Sequence, residues 1–142
     1  MVTSLAKATR KPASGENVEL VRAGWDAFVR GDLEGALARL HPEVVTFLAP
    51  PLPDARTYHG IDGLLEAYAD WTADFVEFEM SPGKFMAVGD RVVGEICQRA
   101  RGQASGALVM GRFWFVYTLA GGKVIRQDIF KGKRQALEAA AR

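Results

Sequence analysis

The sequence predicts a single α+β domain, a cone in which three N-terminal helices pack on a curved antiparallel sheet, with a short C-terminal helix. Helix-spaced apolar residues fill most of the first half of the chain, and strand-like alternation fills most of the second. A length of 142 residues is enough for one domain and too short for two. Helices first and an antiparallel meander last is the order typical of α+β folds.

Three helices are predicted in the first half of the chain. A flexible arm over residues 1–15 precedes the domain, which spans residues 16–142. Apolar residues at helical spacing, with acids in the first turn, predict a helix over residues 16–30. Asp32 is predicted to cap a short second helix, and the same apolar spacing predicts a third helix over residues 61–75.

Strands and turns dominate the remainder. A β-branched strand is predicted over residues 43–48, followed by a proline-rich loop over residues 49–60. A turn is expected at Ser81-Pro82-Gly83, between an extended segment and a strand over residues 84–88. Residues 91–101 alternate cleanly between apolar and polar positions, which predicts a strand covered on one face.

The most informative segment is a predicted hairpin, Gly111–Phe130, with its turn at Gly121-Gly122. Its first arm is apolar or aromatic on both faces, and such an arm must be covered on both. We expect the protein's own helices to cover one face and a second subunit to cover the other. This predicts a homodimer through the outer sheet face, with Trp114 and Val116 at the centre of the interface and Arg112 at its rim.

Composition excludes several classes of function. The chain is 49% hydrophobic and 25% charged, as in ordinary globular proteins. The net charge of the whole chain is +1, but residues 16–130 hold more acidic than basic residues. A net negative charge over most of the domain disfavours nucleic-acid binding. With Cys97 as the only cysteine, no apolar run long enough to span a membrane and no secretory leader, we expect a cytoplasmic protein. Two scattered histidines give no metal spacing, and no cofactor is expected.

Three segments carry a family resemblance: FVRGDLEGALARLHPEVV (residues 28–45), YHGIDGLLEAY (58–68) and LAGGKVIRQDIF (119–130). They resemble the nuclear transport factor 2-like superfamily, and within it the SnoaL-like polyketide cyclase and ketosteroid isomerase branch, over about residues 16–140. The resemblance implies a cone-shaped fold with a cavity on the concave sheet face. It fixes no function, because the superfamily includes isomerases, cyclases, epoxide hydrolases, dehydratases and non-catalytic binding modules.

The resemblance also implies positions for acid–base groups, and those groups are missing here. Isomerase-like members carry a carboxylate base near the end of the first strand, where this chain has Leu48. Their oxyanion donors, a helix tyrosine and a protonated aspartic acid, correspond to Gly24 and to Trp114 or Phe115. The strand histidine and aspartate of SnoaL-like cyclases align with Phe115 and Ile129.

Two side chains outside the hairpin are candidates for catalysis. Tyr68, on the third predicted helix, would donate a hydrogen bond to a ligand oxygen, although a core tyrosine explains it as well. His59, beside Tyr58 near the expected cavity mouth, would shuttle protons near neutral pH, although a loop histidine is more often structural or solvated.

Asp128 is the third catalytic candidate. If it faced the cavity, desolvation would raise its pKa and suit it to act as a general base, while Arg126 would oppose that shift. The family register instead places Ile125, Gln127 and Ile129 inward, which leaves Arg126 and Asp128 at the rim of the dimer interface. A shift of one residue in register would exchange the two faces.

Aromatic residues exceed what one helix–sheet seam needs, which predicts a ligand cavity with an apolar wall; the alternative is that they only fill the cone. The predicted ligand-binding residues are Trp25, Phe28, Phe47, Tyr58, Trp71, Phe85, Gln98, Phe113, Phe115, Tyr117, Gln127 and Ile129. We therefore expect a pocket for a small apolar or aromatic carbonyl compound, in an isomerase- or cyclase-type enzyme that works by positioning and hydrogen bonding. The alternative is a non-catalytic ligand-binding or dimeric assembly module.

Overall fold

The computed structural model describes residues 14–142, and within them it confirms the α+β class with four helices and one open, curved sheet of six strands. The helices are α1 (Ser14–Val29), α2 (Leu33–Leu37), α3 (Gly60–Thr72) and α4 (Lys133–Ala141). The strands are β1 (Leu40–Leu48), β2 (Thr57–His59), β3 (Phe75–Val88), β4 (Arg91–Gly102), β5 (Leu108–Ala120) and β6 (Lys123–Phe130). The predicted arm lies outside the described residues up to position 13, and its last two residues begin α1.

The sheet follows the order β2-β1-β6-β5-β4-β3, and all neighbouring strands are antiparallel except the parallel pair β1 and β6. The predicted hairpin is confirmed as β5 and β6. Its two-residue loop has φ values of +58° at Gly121 and +76° at Gly122. Positive φ at both positions is the type I′ turn, whose twist matches that of the strands it joins, and glycine adopts it without strain.

The two faces of β5 belong to two different cores. On the concave face, Phe113, Phe115 and Tyr117 pack in the main core with α1 and α3. On the outer face, Val116 is 1% exposed and packs in a second core that includes two alanines of α4. The protein's own C-terminal helix therefore covers Val116, which corrects its expected place at the centre of a dimer interface. Trp114 is only partly buried beside this second core.

Helix α4 is fixed to the sheet by Arg91 at the start of β4. The Nη1 atom of Arg91 donates to the carbonyl oxygens of Ala139 and Arg142, each at 2.9 Å. Carbonyl groups in the last turn of a helix have no partner within the helix and carry partial negative charge. The guanidinium of Arg91 donates to these carbonyl groups and complements their charge, so it holds the C-terminus of α4 against the sheet.

Strand β3 differs from the sequence-based prediction of a turn at Ser81-Pro82-Gly83. The strand continues through these residues, with a register shift against β4 between Pro82 and Phe85. Because β3 is an edge strand, a proline without an N–H group removes no necessary ladder hydrogen bond. A β-bulge absorbs the extra residue, so the sequence signals of a turn mark a bulge here.

The first strands also differ from the prediction. Strand β1 begins at Leu40, ahead of the expected start at residue 43, and a short strand, β2, lies at the end of the expected proline-rich loop. The N-cap of α2 agrees with the prediction, since the backbone N–H of Gly35 donates to Oδ1 of Asp32 at 2.9 Å.

Candidate functional site

A cavity of about 230 Å³ lies between helices α1, α2 and α3 and the concave face of the sheet. Its lining is almost entirely apolar. Apart from two tryptophans, the lining side chains with nitrogen or oxygen atoms are Arg39, Thr46, Tyr68, Tyr117 and Gln127. An apolar wall with a few convergent polar groups is the usual form of a small-molecule site.

Tyr117 on β5 and Trp25 on α1 form a hydrogen-bonded pair in the wall. The Nε1 atom of Trp25 donates to Oη of Tyr117 at 2.6 Å. Tyr117 is 3% exposed, and this burial raises the pKa of its phenol, because a phenolate would lose its hydration; the bond from Trp25 acts in the opposite direction. The phenol is therefore neutral near pH 7. No described residue accepts its proton, which leaves the hydroxyl as a donor for a ligand oxygen.

Gln127 and Thr46 form a second buried polar pair. The Nε2 atom of Gln127 donates to Oγ1 of Thr46 at 3.0 Å across the parallel strands β6 and β1. In the register of the sheet Gln127 is also the partner of Tyr117 on β5. The three side chains therefore form a line across three adjacent strands, here called the polar row (Tyr117, Gln127, Thr46). The amide oxygen of Gln127 has no partner among the described residues and can accept a hydrogen bond from a ligand.

Tyr68, the catalytic candidate on α3, lies at the mouth of the cavity. It lines the cavity and is 41% exposed, and its ring makes edge contacts with Phe28 and Phe78 at centroid distances of 6.0 and 5.9 Å. Partial burial raises the pKa of its hydroxyl. Tyr68 is therefore a neutral donor near pH 7, and its catalytic role stays a prediction.

The other two predicted catalytic residues lie outside the cavity lining. His59 is exposed and occupies the N-cap position of α3, without a side-chain capping bond. Asp128 accepts a hydrogen bond from Nε of Arg126 at 2.9 Å, on the face of β6 opposite Gln127 and Ile129. Asp128 therefore lies on the outer face of the sheet, which is the second of the two positions considered for it above. Catalytic roles for these two residues stay predictions, and neither has support from its position.

Most of the predicted ligand-binding residues line the cavity: Trp25, Phe28, Trp71, Phe115, Tyr117, Gln127 and Ile129. The remaining five do not line it, which corrects their expected position: Phe47, Tyr58, Phe85, Gln98 and Phe113. Whether any of the twelve binds a ligand stays a prediction.

Two of those five contact Trp71, which lines the cavity. Its Nε1 atom donates to Oε1 of Gln98 at 2.6 Å, and its ring meets that of Phe113 edge-on at a centroid distance of 4.8 Å. Gln98 and Phe113 therefore support Trp71 from behind. Such support fixes the orientation of the indole that faces the cavity.

The other three fill different spaces. Phe47 points away from the cavity into the outer core, because side chains alternate along β1. The ring of Phe85 lies directly over Gly94, where no side chain would fit. Tyr58 is buried against the loop before β2, and its hydroxyl donates to the carbonyl of Asp54 and to Asp70, each at 3.4 Å.

Sequence reasoning missed Val124 because it expected Ile125 to face inward. Thr118 pairs with Arg126 and Leu119 pairs with Val124, so Ile125 is the extra residue of a β-bulge. The bulge puts Val124 on the cavity side. Arg39, in the turn between α2 and β1, was also missed; it is the only charged side chain among the described lining residues.

Most positions to which the resemblance assigned acid–base groups face the cavity. Leu48, Gly24, Phe115 and Ile129 line it, whereas Trp114, the alternative to Phe115, does not. Within residues 14–142 the lining holds no carboxylate and no imidazole. In the same part of the chain no group of histidine, cysteine or acidic residues is arranged to hold a metal ion, and no helix is both long enough and apolar enough to cross a membrane.

A comparison with protein families decides the classification. A family model described as the SnoaL-like domain matches residues 21–127. The chain belongs to this family. The SnoaL-like branch of the nuclear transport factor 2-like superfamily, expected from three sequence segments, is thereby confirmed. None of the curated proteins compared matches this SnoaL-like domain.

Solved structures share the fold of this SnoaL-like domain. TerC, co-crystallised with polyporic acid, is 23% identical with a TM-score of 0.70, over 89% of this chain and 99% of TerC. A provisionally assigned SnoaL-like polyketide cyclase from Jannaschia sp. CCS1 is 20% identical with a TM-score of 0.70, over 93% and 96% of the two chains. AclR from Streptomyces galilaeus, a provisionally assigned hydroxylase, is 18% identical with a TM-score of 0.66, over 90% and 97%. Identities this low show the fold alone.

Proposed function

We propose that this SnoaL-like domain binds a small, mostly apolar or aromatic carbonyl compound in the cavity. The observation that carries the proposal is the phenol of Tyr117, which lies in an apolar wall and whose proton has no acceptor among the described residues. The oxygen of this phenol accepts a hydrogen bond from Trp25, and a carbonyl oxygen on a bound ligand would supply an acceptor for its O–H proton. In a wall of low polarity such a bond is stronger than at an exposed surface.

The cavity wall around this phenol supports binding because its aromatic side chains pack against one another in edge-to-face contacts. Trp25 meets Phe28 at a centroid distance of 5.5 Å and an angle of 82°, and it meets Phe115 at 5.6 Å and 77°. Edge-to-face contacts of this kind favour one relative orientation of the rings. A wall that is ordered before the ligand arrives needs less ordering on binding, which favours affinity.

An isomerase- or cyclase-type reaction is the second candidate, and the same phenol favours it. Donation from Tyr117 would stabilise negative charge as it develops on a carbonyl oxygen during enolate formation, and the wall would position the reacting carbon. Two structural neighbours carry provisional names as SnoaL-like polyketide cyclases. The proton lost from carbon would need an acceptor other than the described lining residues. That gap favours the alternative, a non-catalytic binding module.

The binding proposal is tested with two aromatic compounds of nearly equal shape, 2-acetylnaphthalene and 2-ethylnaphthalene, by isothermal titration calorimetry. We expect the ketone to bind more tightly than the hydrocarbon. In Tyr117→Phe the preference should disappear, a change of about three- to tenfold for one hydrogen bond. Tyr58→Phe is the matched control, since it removes the hydroxyl of a buried tyrosine outside the lining. No binding of either compound to the wild-type protein would refute the proposal.

We also propose that the protein forms a homodimer through the outer sheet face. Side chains alternate along β5, so Leu108, Met110 and Trp114 share the outer face with Val116. The second core that contains Val116 includes neither Leu108 nor Met110, and Met110 is 65% exposed. An apolar stripe of this kind supports an interface over the part of the outer face that the second core does not include. The cytoplasm remains the proposed location, on the ground of the single Cys97.

A further inference from the structure

Arg39 lines the cavity, and its guanidinium has no carboxylate partner among the described residues. It is partly buried in the turn between α2 and β1. Its Nη1 atom donates to the carbonyl oxygen of Gly35 at 2.8 Å. No carboxylate of residues 14–142 forms an ion pair with it, and residues 1–13 contain no acid.

Arg39 is held in place from two sides. Its carbonyl oxygen accepts a hydrogen bond from the backbone N–H of Val124 at 3.0 Å, which fixes the residue at the start of β6. Its stem passes Gly24 of α1, where an added Cβ would lie 3.4 Å from Cδ of Arg39. Leu40 and Val124 pair in the sheet, and both line the cavity. Arg39 therefore belongs to the end of the cavity formed by α2 and the first residues of β1 and β6.

We infer that Arg39 binds an anionic group, a carboxylate or an ionised enol or phenol, on the compound that occupies the cavity. The inference rests on the proposed function and specifies its ligand class. A guanidinium has five N–H donors in a planar fork, which fits two carboxylate oxygens at once. Only one protein acceptor, the carbonyl of Gly35, is used among the described residues. A cation beside an apolar wall loses hydration, and an anionic partner offsets that loss.

The polarity of the cavity then defines a ligand with two different ends. The described groups of the polar row are neutral, so they suit a carbonyl or hydroxyl oxygen. Arg39 supplies the only charge in the described lining, so an acidic group is directed to its end of the cavity. Between them the wall accepts an apolar or aromatic body.

The test uses 2-naphthoate and 2-naphthamide, which share a ring system and differ in charge at pH 7. Calorimetry on the wild-type protein should show the tighter binding for naphthoate. In Arg39→Met the affinity for naphthoate should fall on the order of tenfold, as for the loss of one charge-assisted contact, while naphthamide changes less than about twofold. Methionine keeps an apolar stem over Gly24. Arg39→Gln gives the same comparison with a polar side chain if Arg39→Met fails to fold.

A matched control and two opposing results complete the test. Arg30→Met removes an exposed arginine that lies outside the lining and should leave both affinities unchanged. Equal naphthoate affinity in the wild-type protein and the Arg39 variants would overturn the role of Arg39, with naphthamide binding still showing that the cavity accepts aromatic compounds. If the wild-type protein bound neither naphthoate, naphthamide nor 2-acetylnaphthalene, the proposed function would fail and this inference with it.

Discussion

Removing the hydroxyl of Tyr117 should destabilise the fold by an amount that the geometry of its bond to Trp25 sets. Tyr117→Phe keeps the ring and leaves the indole N–H of Trp25 without its partner at 2.6 Å. An unpaired buried donor costs about 1–3 kcal/mol. Trp25 is only partly buried, so we expect the lower part of that range, about 1–2 kcal/mol. For a chain of this length the melting temperature should fall by roughly 3–7 °C.

A double-mutant cycle separates the hydrogen bond from other losses. Urea unfolding, followed by circular dichroism, is measured for the wild-type protein, Tyr117→Phe, Trp25→Phe and the double variant. The coupling free energy should be about 1 kcal/mol, because Trp25→Phe removes the donor that Tyr117→Phe would strand. Tyr58→Phe is again the matched control, since its hydroxyl contacts are long at 3.4 Å. A coupling energy of zero, with Tyr117→Phe as stable as the wild-type protein, would refute the assigned pair.

Three further predictions follow from the same structure. Because burial raises the pKa of Tyr117 above that of the unfolded chain, its contribution to stability is present below about pH 10 and lost as pH rises further; alkaline unfolding should show a slope that Tyr117→Phe lacks. Arg91→Met should cost about 1–2 kcal/mol in urea unfolding by releasing the C-terminus of α4, whereas Arg134→Met, at an exposed i,i+4 pair, should cost less than about 0.5 kcal/mol. Trp114→Arg should yield monomers on a sizing column, and Asp128→Asn should weaken the dimer without changing ligand affinity; an unchanged dimer in Trp114→Arg would contradict the interface.

The elements whose signals are local could be predicted from the sequence. The Gly121-Gly122 turn needs positive φ at two consecutive residues, which glycine alone adopts freely, and the structure has it. The cap at Asp32 depends on contacts three residues apart. Alternation along β4 placed Val92 and Ile96 in the main core, because strand phase is fixed wherever one face is buried.

The parts of the site that depend on distant contacts could not be predicted in this way. The bulge at Ile125 moves one residue out of phase, and nothing in the alternation of β6 marks it. Gln98 and Phe113 have the phase of cavity residues, but they contact the indole of Trp71 and do not line the cavity themselves. In the sequence Arg39 is one basic residue after a short helix, with no local signal of a binding role. Its contacts with α1 and β6 arise only in the folded protein.

The described lining of the cavity has groups suited to binding a ligand but no carboxylate or imidazole to transfer a proton. Positions that the resemblance assigns to a base or an oxyanion donor face the cavity here as Leu48, Gly24, Phe115 and Ile129, so the shape of the site is present without its acid–base groups. In an apolar wall, removing carboxylates also removes the repulsion that an anionic ligand would meet. The described lining then carries one positive charge and several neutral hydrogen-bonding groups. This set of groups favours the proposed binding of an acidic aromatic compound over a reaction in which the protein removes a C–H proton. Such a reaction would require a base outside the described lining.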